Sequence, residues 1–307
     1  MAENSAIEWT DHTFNPWEGC QKVGPGCDNC YAETRNARFG GGTAPNWGPG
    51  APRRLTSKSN WQKPLQWQAA AEAFAAEHGR RQRVFCASLA DVFDNAVPEI
   101  WRSTLFGLID RTPHLDWLLL TKRIGNVAGM TDVEWGTEDW PTNVWLGATI
   151  VNQEEADRDL PKLLAIEGPK VRFLSMEPLL GPVSFDPCEL ASIDWIIVGG
   201  ESGPGARPMH PDWARDLRDQ CSIAFVPMLF KQWGEWLPWQ PDQLPYFKSQ
   251  HGELIDRHAL PDFDSADLKG WTDSCLYDGH DLCVHQRVGK KVAGRELDGI
   301  THDGAPT

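Results

Sequence analysis

Three cysteines, Cys20, Cys27 and Cys30, stand near the start of the chain in a C-x6-C-x2-C pattern. Thiolates bind thiophilic metals, and several within one short loop can converge on a single centre. Gly24, Pro25 and Gly26 in the first gap read as a flexible turn that draws the sulfurs together. Three thiolates without an obvious fourth ligand leave one coordination position open, which suits a reactive centre better than a structural staple. Two chemistries remain open on these residues. One is an iron–sulfur cluster with an iron free to hold a substrate or cofactor. The other is zinc completed by a distant ligand such as His12 or His210.

Further polar residues follow short apolar runs, where a charge is costly unless it is paired or used. They are Ser88 and Asp91, then Lys122 and Arg123, then Thr149, then Glu177. Gly199, Gly200, Glu201 and Ser202 follow the next run, and Lys231 the last. Together these positions, Lys122, Glu177 and Lys231 among them, read as one candidate active site. The bland alternative is a barrel rim in which Lys122 or Arg123 pairs with Glu177 or Glu201.

The elements that must carry these groups alternate strand with helix. Strands are expected at Ile7–Phe14, Val84–Leu89, Asp116–Leu120, Val144–Ile150, Val171–Met176, Trp195–Val198 and Phe225–Phe230. Most lack polar alternation, as strands buried on both faces do. Amphipathic helices are expected at Pro98–Thr112 and Pro211–Cys221, and Asn152 is expected to cap a third. This alternation implies an α/β fold with a full or partial (β/α) barrel, the runner-up being an open doubly wound sheet. In a barrel the polar residues above all fall at the C-terminal ends of the strands, where active sites lie. Residues 1–236 would form the barrel, and 237–307 a largely irregular extension packing on it. The stretch Val288–Asp303 would pack back or form a small hairpin.

Composition narrows the class. The 307 residues carry a net charge of −14, so indiscriminate binding along a nucleic-acid duplex is excluded. The basic clusters Arg53-Arg54, Arg80-Arg81-Arg83 and Lys290-Lys291 read as solvated faces. No apolar run approaches the ~20 residues of a membrane span. Glu3, Glu8 and Asp11 do not fit a secretory leader. A cytoplasmic protein with no membrane contact and reduced cysteines is expected. Cys275, His280, Cys283 and His285 read as a chance cluster, and Cys86 and Cys221 as small core residues. Trp17, Trp233 and Trp236 adjoin the expected site and are candidates to stack a base or adenine.

The segment Phe14-Asn-Pro-Trp-Glu-Gly-Cys20, followed by Gly26-Cys-Asp-Asn-Cys-Tyr-Ala32, resembles the opening of a phage- and prophage-associated family of three-cysteine-motif proteins. Later blocks match in order, among them Leu120-Thr-Lys-Arg123, Met176-Glu-Pro-Leu-Leu-Gly181, Val198-Gly-Gly-Glu-Ser-Gly-Pro204 and Phe230-Lys-Gln-Trp-Gly-Glu-Trp236. That family is in turn similar to radical S-adenosylmethionine (SAM) enzymes, the spore photoproduct lyase branch among them. The resemblance implies a barrel of the radical SAM type with a 4Fe–4S cluster on Cys20, Cys27 and Cys30. It also implies SAM on the open iron, cleaved to a 5′-deoxyadenosyl radical. On that reading Lys122, Glu177 and Lys231 are candidate catalytic groups, and Ser88, Asp91, Arg123, Thr149, Gly199, Gly200, Glu201 and Ser202 candidate cofactor-binding positions. The implied substrate is a small molecule or a nucleic-acid-derived base or nucleoside connected with phage modification or repair. Implied partners are a reductant such as flavodoxin or ferredoxin and a companion, the three-Cys-motif partner. Two features depart from radical SAM enzymes: their first cysteine gap is three residues rather than six, and Gly199-Gly200-Glu201 follows the sixth strand rather than the second. The reading from a different class is a zinc barrel acting as a hydrolase or as a non-catalytic binding module in phage–host conflict.

Overall fold

The computed structural model describes residues 5, 7–136, 139–239, 271–274 and 283–306. Seven parallel strands form one sheet: β1 (His12–Thr13), β2 (Gln82–Cys86), β3 (Leu115–Thr121), β4 (Val144–Thr149), β5 (Val171–Met176), β6 (Trp195–Gly199) and β7 (Met228–Gln232). Each strand pairs with the next in the chain. The order never reverses, so there is no switch point and the doubly wound alternative falls.

The sheet is curled into a partial barrel. Trp9, just before β1, meets Trp195 of β6 edge-on at 6.4 Å between ring centroids. The guanidinium of Arg83 on β2 lies over the rings of Trp145 on β4 and Trp195 on β6, at 5.0 and 5.4 Å. Such contacts across several strands require the sheet to close around its own inner face.

Pleating divides the strands between two cores. Phe85, Leu118, Trp145, Phe173, Trp195, Ile197 and Leu229 point inward and pack together with Trp9. Their neighbours, such as Val84, Leu119, Leu146, Leu174, Val198 and Phe230, point outward under the helices. Gly147 makes the inner packing possible, because a Cβ there would stand 2.3 Å from the Phe173 ring.

Five helices of nine residues or more lie among the described residues: α1 (Tyr31–Phe39), α2 (Glu99–Asp110), α3 (Ile124–Trp135), α4 (Gln153–Leu164) and α5 (Pro211–Ala224). The Leu105 and Leu108 stripe of α2 is buried as its spacing requires, with Pro98 as N-cap rather than first helical residue. Asn152 caps α4 by accepting from the Glu155 amide at 2.9 Å. The last strand starts three residues later than its apolar run suggests. Phe225 takes a left-handed conformation (φ 58°) at the end of α5 and is 94% exposed. The first strand shrinks to two residues, since Ile7 to Thr10 forms a hydrogen-bonded turn instead.

Past β7 the described residues include short antiparallel elements. Trp236–Trp239, Cys283–Arg287 and Trp271–Ser274 form an antiparallel sheet, and Glu296–Leu297 pairs with Ile300–Thr301 in a small hairpin. Residues 302–304 then run antiparallel along the free edge of β7: the Phe230 amide donates to the His302 carbonyl and the Gly304 amide to the Met228 carbonyl. The Trp195 indole donates to the Gly304 carbonyl at 2.7 Å, and Arg83 reaches the Pro306 carbonyl at 3.2 Å. The tail therefore bridges the gap between β7 and the β1–β2 side of the barrel. Among the described residues no helix is long and apolar enough to cross a membrane.

Candidate functional site

The inward positions change character toward the C-terminal ends of the strands. On β4 the series Trp145, Gly147, Thr149 ends polar, and on β5 Val171, Phe173, Ser175 does the same. Continuing the same alternation, β3 leads to Lys122 and β7 to Lys231. Lys122, Thr149, Ser175 and Lys231 line a cavity of about 460 Å3 at this end of the barrel, with Glu177 beside them. Trp9, Phe85 and Leu120 form its apolar floor. Cys20, Cys27 and Cys30 of the cysteine loop all line the same cavity.

The loop is packed rather than flexible. A Cβ on Gly26 would stand 2.8 Å from Val151, and one on Gly24 would stand 2.5 Å from a Glu155 carboxylate oxygen. Glycine here permits close approach to the barrel rim. The loop is also latched from the far side: Arg207 donates to both carboxylate oxygens of Glu201 at 2.7 and 2.8 Å, to Asp28 at 3.0 Å and to the Pro25 carbonyl at 2.9 Å. Asn29 joins Glu201 to the Gly205 carbonyl at 3.0 and 2.7 Å. Burial alone would raise the Glu201 pKa, but Arg207 and Asn29 outweigh it and hold the carboxyl below its ordinary value.

The charged groups pair differently from the rim expected of the sequence. Lys231 pairs with Glu177 at 2.7 Å, and Ser175 donates to the other Glu177 oxygen at 3.4 Å. Arg123 pairs with Asp91 at 3.1 Å, while Glu201 belongs to Arg207. Lys122 bonds Thr149 Oγ1 at 3.1 Å and makes no salt bridge among the described residues. Asp91 is further held by Thr121 Oγ1 at 2.8 Å and by the Lys122 amide at 3.1 Å. Ser88, Gly200, Glu201 and Ser202 line the cavity, whereas Gly199 lies beneath Glu177, where a Cβ would stand 2.9 Å from the carboxylate.

The thiols are not equivalent. Burial, reinforced by Asp91, pushes the Cys20 thiol up to about 11, and Arg123 opposes it by donating to the sulfur at 3.4 Å. Cys30 is also raised by burial, with the amides at the start of α1 and Lys122 pulling the other way and Cys27 adding to the rise. Cys20 alone of the three is turned to Arg123. Among the described residues no three His, Cys, Asp or Glu side chains stand gathered as a ready metal site. The donor type nonetheless fits a thiophilic centre: three thiols line one cavity, with Lys122 and Arg123 beside them to offset thiolate charge. The distant zinc ligands do not fit. His12 stacks on Trp67 at 4.1 Å, His210 caps α5 through the Asp212 amide, and neither lines the cavity.

Several other expectations are corrected. Trp17, Trp233 and Trp236 do not line the cavity: Trp17 is fully buried, and the indoles of Trp233 and Trp236 donate to the Glu296 and Ala206 carbonyls. Trp9 and Trp47 face the cavity instead. The basic clusters are not uniformly solvated, because Arg53 is buried, Arg83 closes the barrel floor and Lys290 lines the cavity. Cys86 and Cys221 are buried as expected. Cys275 and His280 lie outside the described residues. His285 is buried, with its Nε2 2.9 Å from the Met209 carbonyl. Arg207 and Asn29 escaped the sequence reading, since loops carry no periodic signal. The only clue was their proximity in sequence to Glu201 and Cys30.

No curated protein sequence matches the chain. Its structure is similar to solved structures of spore photoproduct lyase. One is a double mutant with bound AdoMet and dinucleoside spore photoproduct, at 12% identity and a TM-score of 0.40, covering 91% of this chain and 69% of that one. Another is the enzyme complexed with dinucleoside spore photoproduct, at 10% identity and a TM-score of 0.38, covering 93% and 71%. Over residues 4–306 the sequence matches the family described as "Protein of unknown function (DUF5131)", and the chain belongs to that family.

Proposed function

We propose that the protein is a radical SAM-type iron–sulfur enzyme acting on a small nucleic-acid-derived substrate. The observation that carries this reading is the placement of three thiols, a lysine held by a threonine hydroxyl and a Lys–Glu pair around one cavity at the C-terminal end of a parallel partial barrel. Cys20, Cys27 and Cys30 would hold a 4Fe–4S cluster. When bound, the cluster and SAM supply a 5′-deoxyadenosyl radical that removes a hydrogen atom from the substrate, given one electron from an external reductant.

The chain's own residues bind and orient. Lys122 offers its ammonium to a carboxylate or phosphate of the bound molecules, with Thr149 fixing its direction. Glu177 accepts or returns a proton at Oε2, while Lys231 holds Oε1. Trp9 and Phe85, their rings inclined at 57°, give the cavity an apolar floor that excludes water from below.

The test is direct. Protein purified without oxygen is expected to be brown and to carry about four iron and four sulfide per chain. With dithionite and SAM it should release 5′-deoxyadenosine. Cys27→Ala should lose the iron yet keep the far-ultraviolet circular dichroism of the native barrel. Colourless protein carrying one zinc would overturn the proposal in favour of a zinc barrel.

A further inference from the structure

Behind Cys20 lies a chain of four charges, three of them buried. The Arg53 side chain is 1% exposed and donates through Nε to Asp94 at 2.7 Å. Asp94 lies 4.0 Å from Arg123, which pairs with Asp91 at 3.1 Å. Arg123 ends the chain on Cys20, with Nη1 3.4 Å from Sγ and Nη2 2.7 Å from the neighbouring Gln21 carbonyl. Arg53 also braces the backbone at Cys20. Its Nη1 holds the Asn46 and Ala51 carbonyls at 3.2 and 2.8 Å, and the same loop donates the Gly48 amide to the Cys20 carbonyl at 2.9 Å.

Stability alone does not account for this arrangement. Buried ion networks carry a desolvation cost that apolar side chains of similar volume avoid. Arg53 Nη2 adds to that cost, being buried without a hydrogen-bond partner among the described residues. What an apolar replacement could not do is aim a guanidinium at a sulfur. Hydrogen-bonded partners behind a metal ligand orient it and tune the metal.

We propose that Arg53, acting through Asp94, is a positioning residue that holds Arg123 on the Cys20 sulfur and so sets the properties of the metal centre. This rests on Cys20 being a ligand. With two arginines and two aspartates the ladder is neutral, and Arg123 stays against the sulfur because Asp91 and Asp94 restrain it from two sides.

The experiment compares reconstituted wild type with Arg53→Met, Arg123→Met and the double variant, reading iron retention against a chelator, midpoint potential and thermal melting. Arg53→Met is expected to weaken iron retention about tenfold and to move the potential in the same direction as Arg123→Met. The double variant should go no further than Arg123→Met alone. A lower melting temperature with unchanged potential and iron retention overturns the proposal. Should Arg53→Met not fold, Asp94→Asn keeps the shape, breaks the same ladder and carries the same comparison. If wild type takes up no iron, the iron–sulfur reading fails separately, and the ladder is then read from iodoacetamide labelling of Cys20 in metal-free protein. Slower labelling in both Arg53→Met and Arg123→Met supports a thiolate that has lost its cation. Unchanged or faster labelling in Arg53→Met reflects mere loosening and removes the positioning role.

Discussion

Lys231 and Glu177 face each other at 2.7 Å with side chains 17% and 14% exposed, so neither charge is well hydrated when its partner is removed. Lys231→Met is expected to lose roughly 1–3 kcal/mol of stability because it strands the carboxylate. Adding Glu177→Gln to Lys231→Met should cost less than the sum of the two single changes. Urea denaturation of the three variants checks this, and strict additivity would mean the pair is not coupled. Lys122 differs, since its nearest fixed partner is a hydroxyl. Its charge therefore remains available to a ligand, which gives the candidate site a net cation on a molecule of net charge −14.

At the scale of elements, the site depends on the inner face of the sheet and on the latched cysteine loop. Gly147→Ala places a methyl group where the Phe173 ring lies and should cost about 1–3 kcal/mol through overpacking, measurable as a lower denaturation midpoint. The latch is pH-dependent. The Glu201 carboxyl is held below its ordinary value of 4.5, so its contribution is fully present above about pH 4.5 and lost as pH falls through the lower folded value. Acid titration of Arg207→Met should lack this component; a stability profile parallel to wild type below pH 4.5 would show that the latch contributes nothing. Much of this scaffold was legible in the sequence. Strand β5 matches its apolar run at both ends, and the Asn152 cap follows from side-chain chemistry that acts within four residues. Phe225 misled because an exposed aromatic at a helix end looks like the first residue of a strand. Arg53 misled because a neighbouring arginine made it look like surface, while its partner Asp94 lies 41 positions away. Pairing across such distances has no local signature, and the polar ladder and the Glu201 latch are both built from it.

For the molecule as a whole, the barrel has an open seam that residues 302–306 cover. Gly304 fits against β7 only without a side chain, since a Cβ would stand 2.7 Å from the Met228 amide and carbonyl. Gly304→Val is therefore expected to lift the tail, lower the melting temperature and change the Trp195 fluorescence, whereas an unaltered emission spectrum would mean that the tail stays in place. The same seam bears on the order of folding. Strands β1 to β7 each add beside their predecessor, so the sheet can grow by successive local steps. Joining Arg83 to Pro306 instead closes a span of 223 positions, and the entropy of that closure places it last. Refolding should thus show secondary structure complete before a final slow phase seen by Trp195, the residue that holds the last stitch.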